Sequence, residues 1–440
     1  MAPPDRAGDL LPRLLFALSV LIVAVGYGMF AWKNNWFPAP ATRAALAEWH
    51  RLSGPETKRP HRVPKRHEKP AGATAHRAEL VAPGLTLISS YWPDDDWYPG
   101  VRLIDSNGTT LHHWPLRPTE IFTGQRQVPY SDATYVHGSY LFPNGDLLVN
   151  LEYLGLVRMN SCGQVLWTTD YATHHSIFRD EDGNFWVPGF RWIYARNPRA
   201  KAFPGIKTRF AEELILKVNP EGEKLQEISL LDSIYNSEYR LLLWATDRAQ
   251  KGGDLIHLND VEILSVEMAR YFPMFEPGDI LVSSNFLSLV AVLSPQGKIK
   301  WASYKQFYRQ HDPNFERSGL ITVYDNRPDG SLHGDHLGGS RLVAIDPYDS
   351  SLRAVYPLGE DSDFFTSAGG KHQLLANGNR LVSELHGGRI FEVSPQGELV
   401  WEWLQEPFSE TQIAEVQEGM RYQLDRATVA AWACARDTSS

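Results

Sequence analysis

The chain has 440 residues, a hydrophobic fraction of 43%, a charged fraction of 22% and a formal net charge of −9. That balance describes a protein able to bury a sizeable core, and its acidity excludes nucleic acid as the expected partner, which requires a basic face. Fourteen Trp, eighteen Tyr and nineteen Phe favour strands, where aromatic side chains pack on a pleated surface. Two cysteines, Cys162 and Cys434, make neither a disulfide framework nor a cysteine metal site. They are either two buried thiols or, in an exported domain, a single pair.

Residues 1–13 form a short tail before Leu14–Trp32 (LLFALSVLIVAVGYGMFAW), an uncharged run long enough to span a bilayer as a helix. No small-x-small cleavage site follows it at once, so 14–32 reads as an uncleaved, single-pass membrane anchor. Arg6 and Arg13 precede it while Lys33, Arg43 and Arg51 follow, so flanking charge leaves its orientation open. Residues 33–82 turn to Lys, Arg, His and Pro (KRPHRVPKRHEKP) without apolar periodicity. This is the composition of a solvated tether, or of a polybasic stretch on anionic headgroups.

From 83 to 405 short β-runs alternate with Asn-Gly, Asp-Gly and Pro-Gly turns. One unit, a turn followed by an apolar strand, recurs at Asn144-Gly145-Asp146, Asp182-Gly183-Asn184, Pro277-Gly278-Asp279, Ser318-Gly319 and Asn377-Gly378-Asn379. A second, a turn followed by a strand ending near an aromatic, recurs at Gly163–Trp167, Gly297–Trp301 and Gly397–Trp401. Repetition at this period predicts an all-β, six-bladed propeller with blades near 84–116, 137–172, 175–230, 255–304, 311–358 and 370–404. The tail, 406–440, carries helical patterning (EVQEGM, ATVAAWA) and is expected to pack on the outside of the disc.

The histidines keep register with these turns. His137, His175 and His311 each stand eight residues before a turn glycine (Gly145, Gly183, Gly319), His372 stands six before Gly378, and His257 opens blade four. Equivalent positions in successive blades lie around one axis, which predicts an imidazole cluster at one end of the central channel. Imidazoles so placed supply a nucleophile, an acid–base group and a clamp.

The segments Thr173-His174-His175, His257-Leu-Asn259-Asp260, Gln310-His311-Asp312 with Val323–Asn326, and Gly387–Trp403 resemble the bacterial arylsulfotransferases from blade two onward. The resemblance implies an exported, periplasmic propeller that moves a sulfuryl group from a phenolic sulfate ester to a phenol through a sulfated histidine, with no nucleotide donor and no cofactor. By motif, His311 takes the place of the nucleophile, and His257 and His175 those of its acid–base and oxygen-binding partners. His174, Asn259, Asn285, Thr366, His372 and His137 join them as expected substrate-binding residues. After Val-Ser-Ser of blade four the family usually places an arginine; here the residue is Asn285, which donates hydrogen bonds but has no charge. His174, Lys371 and Arg341 are the expected substitutes for that cation. The uncharged Asn285 also keeps open a second reading, a non-catalytic tethered propeller that binds a small anionic or aromatic ligand, or a protein partner, in its funnel.

Other constellations point nowhere strongly. His333-Gly-Asp335-His336 lies in a glycine-rich surface turn, and Asp94-Asp95-Asp96 reads as an acidic loop tip, so no metal site is expected. Phosphate-loop, zincin and nucleophile-elbow motifs are missing from the sequence. Nothing in it sets the oligomeric state.

Overall fold

A computed structural model describes residues 10–34, 36–39, 41–42, 60–122, 134–359 and 364–434. Much of the expected tail at 1–13 and of the tether at 33–82 lies outside the described residues, as do 435–440. The apolar run forms one helix, Leu10–Asn34, whose side chains are exposed nearly throughout. It is long and apolar enough to cross a membrane.

Six antiparallel sheets form the blades of a propeller. Listed from the inside outward, blade two is Val136–Leu141, Leu147–Leu151, Gly155–Met159 and Val165–Thr168. Blade three runs from Phe178–Arg179 to Lys224–Ser229, blade four from Leu258–Ile263 to Ile299–Tyr304, blade five from His311–Phe315 to Leu352–Tyr356, and blade six from Lys371–Leu374 to Leu399–Leu404. Second strands such as Leu147–Leu151 and Ile280–Ser284 are buried at every position, because neighbouring blades cover both faces of each sheet. The aromatic at the end of the outer strand joins one blade to the next: Trp167 Nε1 donates to Pro220 O at 3.1 Å, and Trp401 Nε1 to Ser106 O at 2.7 Å.

Two expectations need correction. The tail 406–440 is not purely an outer covering: Val416–Tyr422 pairs with Leu85–Trp92 as the inner strand of blade one. Blade one would otherwise expose a full row of unpaired backbone groups, and satisfying that edge outweighs the helical patterning of EVQEGM. Among the described residues of the tail, only Arg426–Ala430 is helical, capped where the Asp425 side chain accepts from Thr428 N. The described part of the tether is likewise built into the domain. Arg62–Pro64 pairs with Gln412–Ala414, and Gly72–Ala75 adds a fifth strand to blade six. Arg66 and Lys69 serve as counter-charges to the buried Glu384 and Glu402 at 2.8 and 3.0 Å, and His67 and His76 meet the same two carboxylates at 3.0 and 2.9 Å. A buried carboxylate is stable only when paired. Cys162, in a turn of blade two, forms a disulfide with Cys434.

Candidate active site

The register of the inner strand breaks where it begins in four blades, at Val136/Gly138, Leu258/Asp260, His311/Asn314 and Val416/Glu418. Such bulges re-aim side chains. Here they turn His137, Asn259, Asp312 and Gln417 toward a water-sized pocket of about 30 Å³ on the propeller axis. Toward the loops joining the blades, the channel widens to a cavity of about 500 Å³. His137, His175 and His311 lie between the two and line both.

Four of the five registered histidines converge. Ring centroids are 4.6 Å apart for His137 and His175, 4.9 Å for His175 and His257, and 6.2 Å for His175 and His311. His175 and His257 have φ of 58° and 54°, a region that non-glycine residues enter rarely and mostly where surrounding structure holds them. His372 does not join them. It stands six rather than eight residues before its turn, and its strand pairs with the next without a bulge. Gly370 takes the channel position, while His372 points between sheets to Asp312 Oδ2 at 2.8 Å and Thr322 Oγ1 at 2.9 Å.

The orientation of His311 is set by an amide. Asn326 Nδ2 donates to the carbonyls of Thr366 and Gly369 at 3.0 and 2.7 Å, so its Oδ1 is left to accept from His311 Nδ1 at 2.6 Å. Nε2 of His311 therefore carries a lone pair, met among the described residues only by the Gly369 N–H at a long 3.3 Å. Gly370 (φ 100°) lets that loop come so close, since a Cβ there would lie 2.4 Å from the Tyr324 ring. Burial pushes the His311 imidazole down to about 4 against the opposing Asn326 bond, so it is uncharged at neutral pH. His257 Nδ1 meets Asp254 Oδ2 at 2.6 Å. Burial acts to raise the Asp254 carboxyl, but the hydrogen bond and charge of His257 outweigh it and hold it below its ordinary range. Behind His175, His174 Nδ1 lies 2.8 Å from His175 Nδ1, and His174 Nε2 lies 3.0 Å from Glu213 Oε2.

Asn259 faces the small pocket and donates to Gln310 O at 2.8 Å. Thr366 is buried away from the cavity, its hydroxyl donating to Ala368 O at 2.7 Å, and so shapes the loop that carries Gly369. Of the three residues expected to replace the family cation, His174 stands behind His175 and Arg341 pairs with Asp325, while Lys371 lines the small pocket between Asp312 and Glu418.

The family model described as Arylsulfotransferase (ASST) matches residues 138–406, more than half of the chain. The chain belongs to the arylsulfotransferase family. A search of curated proteins finds no match. Similar solved structures include a protein of unknown function from Bacteroides caccae, at 15% identity over 73% of this chain and 94% of that one, with a TM-score of 0.45. A virginiamycin B lyase from Staphylococcus aureus follows at 11%, 67%, 86% and 0.34, and TolB from Acinetobacter baumannii at 12%, 76%, 66% and 0.40. At these scores neither the lyase nor TolB bears on the site.

In this member of the family a cation stands beside Asn285 after all. Arg309, unnoticed in the sequence, donates from Nη1 to Asn285 Oδ1 at 2.9 Å and lines the cavity. Its guanidinium lies 4.6 Å from the Phe286 ring, with Arg248 at 3.4 Å. Phe286 also stacks on His257 at 4.7 Å and with Tyr308 gives the cavity an aromatic wall. The only signal for Arg309 is its place two residues before His311.

Proposed function

We propose that the protein transfers a sulfuryl group between phenolic oxygens, with His311 as the transient carrier. The observation that carries this reading is the setting of His311: buried, which favours its neutral form, its Nδ1 held by Asn326, its ring lining a cavity walled by aromatics and flanked by His175, His257 and Arg309. A sulfuryl group in flight spreads negative charge over three oxygens, so positioning and electrostatic stabilisation do most of the work.

In the first half-reaction Nε2 of His311 attacks sulfur, the S–N bond forms and the S–O ester bond breaks. The departing phenolate takes a proton from His257, which Asp254 holds in place through Nδ1. Arg309, His175 and the Gly369 N–H receive the sulfuryl oxygens, and Phe286 stacks against the aryl ring. In the second half an acceptor phenol gives its proton to His257 and attacks sulfur. The S–N bond breaks and neutral His311 returns.

The test is incubation of the purified protein with a chromogenic phenyl sulfate and an acceptor phenol. Turnover is expected, together with a mass shift of one sulfuryl group on the His311 peptide that His311→Ala abolishes. Donor binding without turnover or mass shift would assign the funnel to ligand capture instead.

A further inference from the structure

One histidine of the funnel, His137, has no part in this chemistry and no hydrogen-bond partner for its ring among the described residues. Both ring nitrogens of His137 are buried without a hydrogen bond, and buried polar groups left unpaired are rare enough to point to something that completes them. Glu152 Oε1 stands 3.7 Å from His137 Nδ1, the two side chains being 13% and 11% exposed. Among the described residues, no lysine or arginine forms an ion pair with Glu152. His175 supplies the third side. Its Nδ1 is engaged by His174, itself backed by Glu213, which leaves Nε2 as its coordinating nitrogen. One ligand atom from each of His137, Glu152 and His175 lies within 4.8 Å of the others. Zinc binds such atoms at about 2.0–2.2 Å, so closing the set around one ion takes side-chain shifts of about 1 Å.

We propose that the funnel binds a divalent first-row transition ion, zinc foremost, through His137, Glu152 and Nε2 of His175, with its remaining position open to the cavity. Two imidazoles and one carboxylate with a free position form the donor set of reactive rather than structural zinc. Outer partners that orient a ligating imidazole are the usual support of such sites, and the His174–Glu213 pair is one. His257 and His311 are excluded as ligands by their bonds to Asp254 and Asn326. The open position takes an anionic oxygen, so the ion replaces His175 as a contact for a sulfate ester. Binding of the ion itself does not depend on sulfuryl transfer.

The experiment is calorimetric titration of full-length, EDTA-stripped protein with zinc chloride, repeated with cobalt chloride while recording visible spectra. One equivalent is expected to bind. Glu152→Gln and His137→Ala should weaken it by at least about 100-fold, the upper end of what losing an outer partner costs. His311→Ala should bind zinc like the parent, which separates this site from the transfer reading. Misfolding is controlled with His137→Cys: a cysteine thiolate adds an intense charge-transfer band to the cobalt spectrum only if residue 137 touches the ion. The site is overturned if the parent takes up no stoichiometric metal, if Glu152→Gln and His137→Ala bind as well as the parent, or if the cysteine variant lacks that band.

Discussion

At the scale of single residues, the chemistry of His311 depends on the proton it lacks. Its folded value of about 4 lies below the ordinary 6.5, so the ring is neutral at pH 7 and becomes charged only as pH falls toward 4. A histidine-resolved NMR titration of metal-stripped protein should show this displacement; a midpoint near 6.5 would contradict it. Asn326→Leu removes the acceptor that fixes the Nδ1–H tautomer, and kcat should fall roughly 10- to 100-fold in a folded protein, the scale on which orienting partners act. Arg309→Ala should lower kcat/KM by about 10²–10³, the usual loss for a donor aimed at developing charge. Asn285→Ala, which only loosens Arg309, should cost less. Neither Asn326's orientation nor Arg309's reach was legible in the sequence: both depend on loops from different blades meeting at the axis.

At the scale of strands, side chains alternate faces, so the one-residue bulge at Val136/Gly138 re-aims His137 toward the axis. The turn glycines made the blades readable, and the shared offset of eight found the three histidines that line both cavities. The same count failed at His372, which stands six rather than eight residues before its turn and lies within its strand. It also missed the inner strand of blade one, whose partner Leu85–Trp92 is more than 300 residues away in the sequence. His372 bridges Asp312 and Thr322 between sheets, so His372→Ala should reduce stability by about 2–3 kcal/mol by leaving buried partners unsatisfied. Its KM for donor should stay near that of the parent. Urea unfolding and steady-state kinetics on the same preparation check both halves, and a raised KM with unchanged stability would return His372 to the substrate.

At the scale of the whole molecule, the ring is closed by a C-terminal strand, and the chain just beyond it is tied back to blade two by Cys162–Cys434 across 272 residues. A link over so long a loop stabilises by roughly 5 kcal/mol in the chain-entropy account. It acts where the ring is weakest, because Val416–Tyr422 is the one inner strand that arrives from the opposite end of the chain. Reduction should therefore lower the Tm by several degrees and raise amide exchange in Val416–Tyr422 before it does so in the inner strands of blades four and five. The redox state of the same two cysteines tests which side of a membrane the propeller occupies. A disulfide persists in an oxidising compartment and is held reduced by cytosolic thiol systems, whereas the charges flanking Leu10–Asn34 give no orientation. We expect the helix to act as an anchor with the propeller outside the cytoplasm. Membranes quenched with an alkylating reagent before lysis should then yield Cys162 and Cys434 unmodified until a reductant is added. Alkylation of both cysteines without reductant would place the propeller on the cytosolic side, away from the exported location that its family resemblance implies.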